Sequence, residues 1–394
     1  MINRRDFICA STMAGLAATL GGSSVAYASA PSDNRFVMII LRGAMDGLHA
    51  LPPFADRDYK RLRPKLAIRS PGEKGGALNL DGSFGLHPAF KDLQPLYNNK
   101  ELLFIPATST RYRNRSHFDG QNFLENGTGV PFGSNDGWLN RALSHLNEGD
   151  QRLGLALGSS IPLILQGSSA VQSWGKSPFG ELNEDFLMRL TYAYENDPLF
   201  SSALSVARNA PKIEGMDDDG TKKKRNKESV PLFAKATSEL LSRNDGPRIA
   251  VMEMTGWDTH FGQLTRLNKL FKQLADVILQ LKSGLGPHWQ KTQVLVVSEF
   301  GRTAAENGSG GTDHGVGGLA MFAGGNINGG RVLGKWPGLS PSALFENRDV
   351  RPTTDLESIF KAVLLNHYGL AENVVEDQIF PNSRKLKSLT GLSL

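Results

Sequence analysis

The sequence predicts an α/β protein organised around a sheet with central parallel strands, and three observations carry that expectation. Short apolar stretches of strand length recur along the 394 residues, unbroken at Phe36 to Leu41 (FVMIIL), Leu102 to Pro106 and Val294 to Val297 and interrupted by Glu253 in Arg248 to Met254. Runs of that length are the mark of strands covered on both faces. A stretch with helical spacing, Gln263 to Lys282, lies between two of them, and polar segments follow the strand ends, where open α/β sheets keep their sites. With 40% hydrophobic and 21% charged residues, the chain can bury a large core.

The first thirty residues (MINRRDFICASTMAGLAATLGGSSVAYASA) read as a twin-arginine export signal. Arg4 and Arg5 precede an apolar run diluted by Gly, Ser and Thr, and Ala28-Ser29-Ala30 supplies small residues for cleavage. A membrane anchor needs about 18 or more strongly apolar residues. The mature chain is therefore expected without a transmembrane segment, periplasmic or secreted, with the twin-arginine translocation machinery as a partner that exports it folded. Loss of Arg4, Arg5 and Asp6 takes the formal charge from +5 to +4. No basic stripe is present, so nucleic acid is not an expected partner. Cys9, the single cysteine, leaves with the signal, which excludes disulfides and a thiol nucleophile from the mature protein.

Taken in order, the first strand ends in Arg42, Gly43, Ala44, Met45, Asp46 and Gly47. Asp46 reads either as a ligand beyond a central strand or as an ordinary Asp-Gly turn. A helix is expected from about His87-Pro88 to Asn99, and the strand beginning at Leu102 leads into TSTRYRNRSHFDG. There Arg111, Arg113 and Arg115 crowd one loop, and Ser116 stands where a helix from His117 to Glu125 would begin. A serine at that position is an N-cap or, since a helix amino terminus favours anions, a nucleophile. His117 beside it reads as a ligand or a base. Asp136 to Leu146 suggests another helix, Ile161 to Gln166 another strand, and Glu184 to Arg208 a peripheral helical region. Residues 212–229 form a charged, core-poor insertion. Leu319 to Ala323 reads as a strand, followed by a glycine-rich hairpin through Gly330 and a last helix opening on the capping box Thr354-Asp355-Leu356-Glu357.

The most informative stretch is Thr292 to Gly318, where a buried strand runs into Ser298-Glu299-Phe300-Gly301-Arg302 and a glycine-rich run then presents Asp313 and His314. Asp258 and His260, two apart beyond another strand, can grip one ion if the backbone there is extended. Asp46, Asp258, His260, Glu299 and His314 thus form a candidate metal set. Oxygen and imidazole donors without thiolate suit zinc or manganese first, with magnesium or calcium as alternatives. Ser116, His117 and Arg302 are the candidate catalytic residues, and Arg42 and Arg115 the candidate anion-binding ones. Asp313 reads as a partner that orients a histidine. One or two divalent ions and several guanidiniums point to hydrolysis of a phosphate ester, with a sulfate ester as second choice and a small molecule, glycan or lipid as carrier. A non-catalytic secreted binding or assembly protein, and a phosphoryl-type transferase acting on cell-envelope components, stay open.

The motifs RGAMDGL, LHPAF, SHF, GWL, GWDTHFGQ, SEFGRT and GTDHG together resemble the secreted bacterial family called domain of unknown function 1501. Asp46, the Asp258/His260 pair and an acidic strand end before GTDHG also resemble the alkaline phosphatase superfamily, sulfatases and phosphopentomutases included. That resemblance implies an alkaline-phosphatase/sulfatase-like three-layer sandwich with a mixed, mostly parallel central sheet, as a single domain over residues 31–394. It further implies that Asp258, His260 and His314 hold one metal, and Asp46 and Glu299 a second, with Ser116 between them. Where the superfamily has Asp-His this chain has Glu299-Phe300, so the second site would lack an imidazole.

Overall fold

The computed structural model describes residues 33–146, 153–158, 160–175, 191, 194 and 229–393. The expected export signal, all of the charged insertion but its last residue, Ser229, and all of the 184–208 region except residues 191 and 194 lie outside them. Asp33–Leu394 forms one compact unit.

Strand β1 (Arg35–Leu41) is buried throughout and divides its side chains between two apolar cores. Val37, Ile39 and Leu41 enter one core; Phe36, Met38 and Ile40 enter the other. Alternation along a strand sends successive side chains to opposite faces, so an unbroken apolar run requires a cover on each. The covers are helices, and the result is three layers. Numbered along the chain, the remaining strands of the sheet are β2 (Leu102–Ser109), β3 (Gly154–Leu157), β4 (Val171–Trp174), β5 (Ile249–Met254), β6 (Thr292–Val297), β7 (Gly318–Ala323), β8 (Arg331–Val332) and β9 (Thr354–Asp355). Their order in space is β8-β2-β7-β6-β1-β5-β3-β4, with β9 also on β2. β7 runs antiparallel to both of its neighbours; the other pairings are parallel. The sheet is therefore mixed and mostly parallel.

The helices that matter below are α1 (Gly47–Ala50), α2 (His117–Asn126), α3 (Trp138–Leu146), α4 (Ser229–Leu241), α5 (Gln263–Leu285) and α6 (Leu356–Ala362). α5 lays Leu267, Phe271, Leu274 and Ile278 into the first core. α3 and α6 bring Trp138, Leu139, Ile359 and Phe360 to the second. Each such burial contributes about 1.5–3 kcal/mol. No helix among the described residues is long and apolar enough to cross a membrane.

Three expectations need correction. The run from Ile161 to Gln166 holds a short 3-10 turn at Leu163–Leu165 that buries Ile164 and Leu165; a run that short fits either element. β7 and β8 do not form a hairpin, because both pair with β2, one on each side. At the last helix Thr354 belongs to β9, the cap is Asp355, which accepts from the Glu357 N–H, and the helix passes into a π-turn at Val363–His367.

β5, β1 and β6 are adjacent and parallel, so their carboxyl ends open on one rim. From it rise the segment after β1 with Gly43 and Asp46, the segment after β5 with Asp258 and His260, and the segment after β6 with Glu299 and Arg302. That rim carries the site.

Candidate metal centre

Two backbone approaches bring these segments together. Gly43, at φ +118°, follows β1 with no room for a side chain, since a Cβ there would stand 2.5 Å from the Asp258 nitrogen. At Gly311 a Cβ would lie 2.3 Å from the His260 carbonyl carbon. Glycine is the residue that permits each approach.

The side chains then converge. His314 Nε2 lies 3.0 Å from His117 Nε2, 3.0 Å from His260 Nε2 and 3.2 Å from Asp258 Oδ1. His260 Nε2 is 3.0 Å from the same Asp258 oxygen, and His117 Nε2 is 3.6 Å from Asp258 Oδ2. Donor atoms of His117, Asp258 and His314 all fall within 4.8 Å of one another, and His260 joins from the far side of His314.

The other nitrogen of each ring decides what these contacts mean. His117 Nδ1 meets Glu299 Oε1 at 2.7 Å, His260 Nδ1 meets Asp313 Oδ1 at 3.1 Å, and His314 Nδ1 meets the Arg115 carbonyl at 3.0 Å. Carboxylates and carbonyls only accept, so each Nδ1 is assigned the proton and each neutral ring keeps a bare lone pair at Nε2. Lone pairs 3.0 Å apart repel, and one proton on His314 Nε2 could serve only one of its three neighbours. A cation satisfies all of them. Metal–nitrogen distances of about 2.0–2.1 Å in a tetrahedral shell put donors about 3.3 Å apart, close to the spacings around His314, while the group whose donors all lie within one span is His117, Asp258 and His314. The residues fit a divalent ion.

Supporting groups fix the donors. Glu299 is fully buried, and its Oε1 also accepts from the Gly43 N–H at 2.9 Å and the Gln121 amide at 3.1 Å. Burial would raise that carboxyl, but the bonds from His117 and Gln121 outweigh it and hold it low. The same Glu299 bond lifts His117 above an ordinary histidine against its burial, whereas burial, His117 and Arg302 lower His314. At Asp258 burial pushes upward, and Arg302 wins and keeps the carboxyl ionised. Arg302 is itself buried, its Nη1 donating to Asp258 Oδ1 at 2.8 Å, its Nη2 to the Thr312 carbonyl at 2.7 Å and its Nε to Thr312 Oγ1 at 3.2 Å. Asp313 is held low by the Asn307 amide, then by His260. Arg115 adopts φ +62°, a costly conformation for a side-chain-bearing residue on the residue whose carbonyl receives His314 Nδ1–H.

The sequence-predicted residues divide accordingly. Asp258, His260 and His314 come together as expected, and His117 joins them as a third imidazole. Asp46 does not. It is buried, with Oδ1 accepting from the Leu48 and His49 N–H groups and Oδ2 from Arg63 at 2.7 Å and Gln263 at 2.6 Å. Glu299 touches the ring of His117 rather than the convergence point, so the expected second metal pair is not assembled. Phe300, buried, stacks on His117 with ring centroids 5.0 Å apart. The two arginines expected to bind an anion and the one expected in catalysis are all tied to carboxylates: Arg42 to Glu125 and Glu253, Arg115 to Asp349 and Glu346, and Arg302 to Asp258. Ser116 occupies the N-cap of α2 without a side-chain cap bond; its N–H donates to the Tyr112 hydroxyl at 3.3 Å. Gln121, Arg63, Gln263 and Asn307 escaped the sequence reading. Gln263 inside GWDTHFGQ, Asn307 inside Thr292 to Gly318 and Gln121 in the expected helix His117 to Glu125 lay in segments already singled out; Arg63 did not.

Residues 109–379 match the family described as "Protein of unknown function (DUF1501)". The chain belongs to the DUF1501 family. No curated protein matches this DUF1501 chain. Among solved structures it is similar to Ps i-CgsB in complex with k-i-k-neocarrahexaose, at 11% identity and a TM-score of 0.40, over 86% of this chain and 73% of that one. It is similar to the lipoteichoic acid synthase LtaP from Listeria monocytogenes at 9% identity and 0.38, over 89% and 76%. A third likeness is to alkaline phosphatase from the Antarctic bacterium TAB5, at 12% identity and 0.33, over 75% and 92%. The chemistry of this DUF1501 site rests on its own side chains.

Proposed function

We propose that this protein is a metal-dependent hydrolase of phosphate esters, with sulfate esters as second choice, and that it holds one divalent ion on His117, Asp258, His260 and His314. The observation that carries the reading is the convergence of three imidazole Nε2 atoms on one carboxylate, each ring held by an acceptor at Nδ1. Three imidazoles and one oxygen donor favour zinc or manganese over magnesium or calcium. A bound ion of this kind supplies Lewis acidity toward an ester oxygen and lowers the pKa of water.

The chain's own residues do the rest. Ser116, which precedes the ligand His117 and spends no hydroxyl on capping, is the proposed nucleophile, at a helix end that favours developing negative charge. Glu299, Asp313 and the Arg115 carbonyl hold the rings, and Arg302 holds Asp258 in its charged form. Phe118, 85% exposed, follows His117 in sequence, and Phe261, 64% exposed, follows His260; both are proposed contacts for an apolar leaving group. An aryl phosphate is therefore the probe of choice. Ser116→Ala should abolish its turnover while the metal content stays the same, and turnover retained by that variant removes Ser116 from the chemistry.

A second reading has its own support. Because Arg42, Arg115 and Arg302 are all neutralised by carboxylates, a secreted protein that keeps the ion for structure and binds a partner is the alternative. An ion-loaded protein inert toward aryl phosphate and aryl sulfate alike would establish it. The expected periplasmic or secreted location and twin-arginine export belong with this proposal and are tested by fractionating cells that carry the Arg4→Lys/Arg5→Lys variant.

A further inference from the structure

On the same rim, beyond the carboxyl end of β2, lies a groove of about 410 Å³ that the metal centre does not use. One wall is the end of β2 with the loop after it and β9, contributing Ser109, Arg113 and Thr354. The other is the start of α6 and the chain's last segment, contributing Ser358, Lys387 and Ser388. This second wall is fixed in place. The Leu389 N–H donates to the Ser358 carbonyl at 3.0 Å, and the fully buried Lys361 donates to the carbonyls of Ser383 at 2.9 Å and Leu386 at 2.7 Å.

The charges set this groove apart from the metal site beside it. Arg111 and Arg115, two residues to either side of Arg113, are paired with Glu357 and with Asp349 and Glu346. Arg113 has no carboxylate at ion-pair distance among the described residues. It donates instead to the carbonyls of Thr110 and Tyr112 and, at 3.4 Å, to Ser109 Oγ. Lys387 is exposed and likewise lacks such a partner among the described residues. The one carboxylate in the lining, Asp355, turns Oδ1 to the Glu357 N–H at 2.9 Å as the cap of α6. Asp355 acts on Arg113 through charge without forming an ion pair, so two cations with no ion-pair partner among the described residues stand among hydroxyls and face a space in the range of small-molecule sites, about 300–1,000 Å³, which is more than a bare anion fills.

We propose that this groove binds an oxyanion, phosphate or sulfate, borne on a polyhydroxylated ligand. Arg113 and Lys387 hold the anion by charge-assisted hydrogen bonds, and the serine and threonine hydroxyls meet the ligand's own. The site stands apart from the metal centre and does not depend on ester hydrolysis there.

Titration calorimetry tests it with inorganic phosphate, inorganic sulfate and glucose 6-phosphate as probes. The full-length Asp258→Ala protein, which removes a proposed metal ligand, is compared with Asp258→Ala/Lys387→Glu. Lys387 is exposed, so the fold should survive the change, and circular dichroism checks that it does. We expect Asp258→Ala to retain phosphate binding, glucose 6-phosphate to bind more tightly than phosphate, and the double variant to bind about tenfold or more weakly. Arg113→Gln should repeat the loss. Equal affinity in the two proteins, or no binding once Asp258 is gone, overturns the site; tighter binding of bare phosphate than of glucose 6-phosphate overturns the polyhydroxylated carrier.

Discussion

Glu299 lies 2.7 Å from Nδ1 of His117 and does not reach the point where the histidines meet. A carboxylate expected as a metal ligand thus sits one bond further out, where it fixes the tautomer of a ring proposed to face the ion. Second-layer partners of this kind typically change metal affinity by about 10–100-fold. Glu299→Gln should therefore weaken zinc binding by that factor while leaving the stoichiometry at saturation unchanged. Competition with a chromophoric chelator measures it, and wild-type affinity in the variant would show that His117 needs no such support.

The four proposed ligands should not be equal. His117, Asp258 and His314 form the tight trio, whereas His260 is attached through His314 and Asp258 and its side chain is 41% exposed. Asp258→Ala and His314→Ala should strip the ion from purified protein, and His260→Ala should weaken binding yet keep ion in excess metal. Elemental analysis after gel filtration reads this out. Full metal content in Asp258→Ala would exclude the centre as drawn.

Much of this was legible from the residues alone. The β1 run FVMIIL points to a strand covered on both faces; Asp258 and His260 stand out as a pair two apart beyond a strand end and His314 as the end of a glycine-rich run, and the structure brings their side chains together. What stayed hidden depends on pairing across the sequence. Asp46 and Glu299 look alike in a strand-end loop, and only their partners, Arg63 and Gln263 for one and His117 for the other, separate a scaffold carboxylate from one that serves the metal centre. The arginines misled for the same reason. A guanidinium near a site suggests anion binding until its carboxylate is found, here more than 200 residues away for Arg42 and Glu253 and for Arg115 and Asp349.

Acid should act on a buried pair formed by His49 of α1 and His87. His49 and His87 have ring centroids 4.9 Å apart, and burial lowers them to about 4 and about 3, with Asp46 pulling His49 partly back. Both folded values lie below the ordinary 6.5, so the unfolded chain binds more protons between them. The stability these rings contribute is complete above pH 6.5 and declines as the pH falls toward their folded values, by about 1.4 kcal/mol per pH unit for each proton taken up. His49→Leu should flatten part of that decline in urea melts between pH 6.5 and pH 4. An unchanged slope would mean that His49 does not charge on unfolding.

Asp46 offers the sharpest separation between the sequence expectation and the structure. As a metal ligand, its loss would release an ion and leave the fold alone. As the buried partner of Arg63, which is itself fully buried and bonded to the carbonyls of Thr303 and Ala304, its loss strands a charge. Removing one partner of a buried pair costs about 3–5 kcal/mol, and the α1 cap goes with it. Asp46→Ala should thus lower the urea midpoint strongly while the folded fraction keeps its metal content. Asp46→Asn, which retains an acceptor for the cap but not the charge, should fall between Asp46→Ala and wild type. Loss of metal from a protein of undiminished stability would return Asp46 to the ligand set.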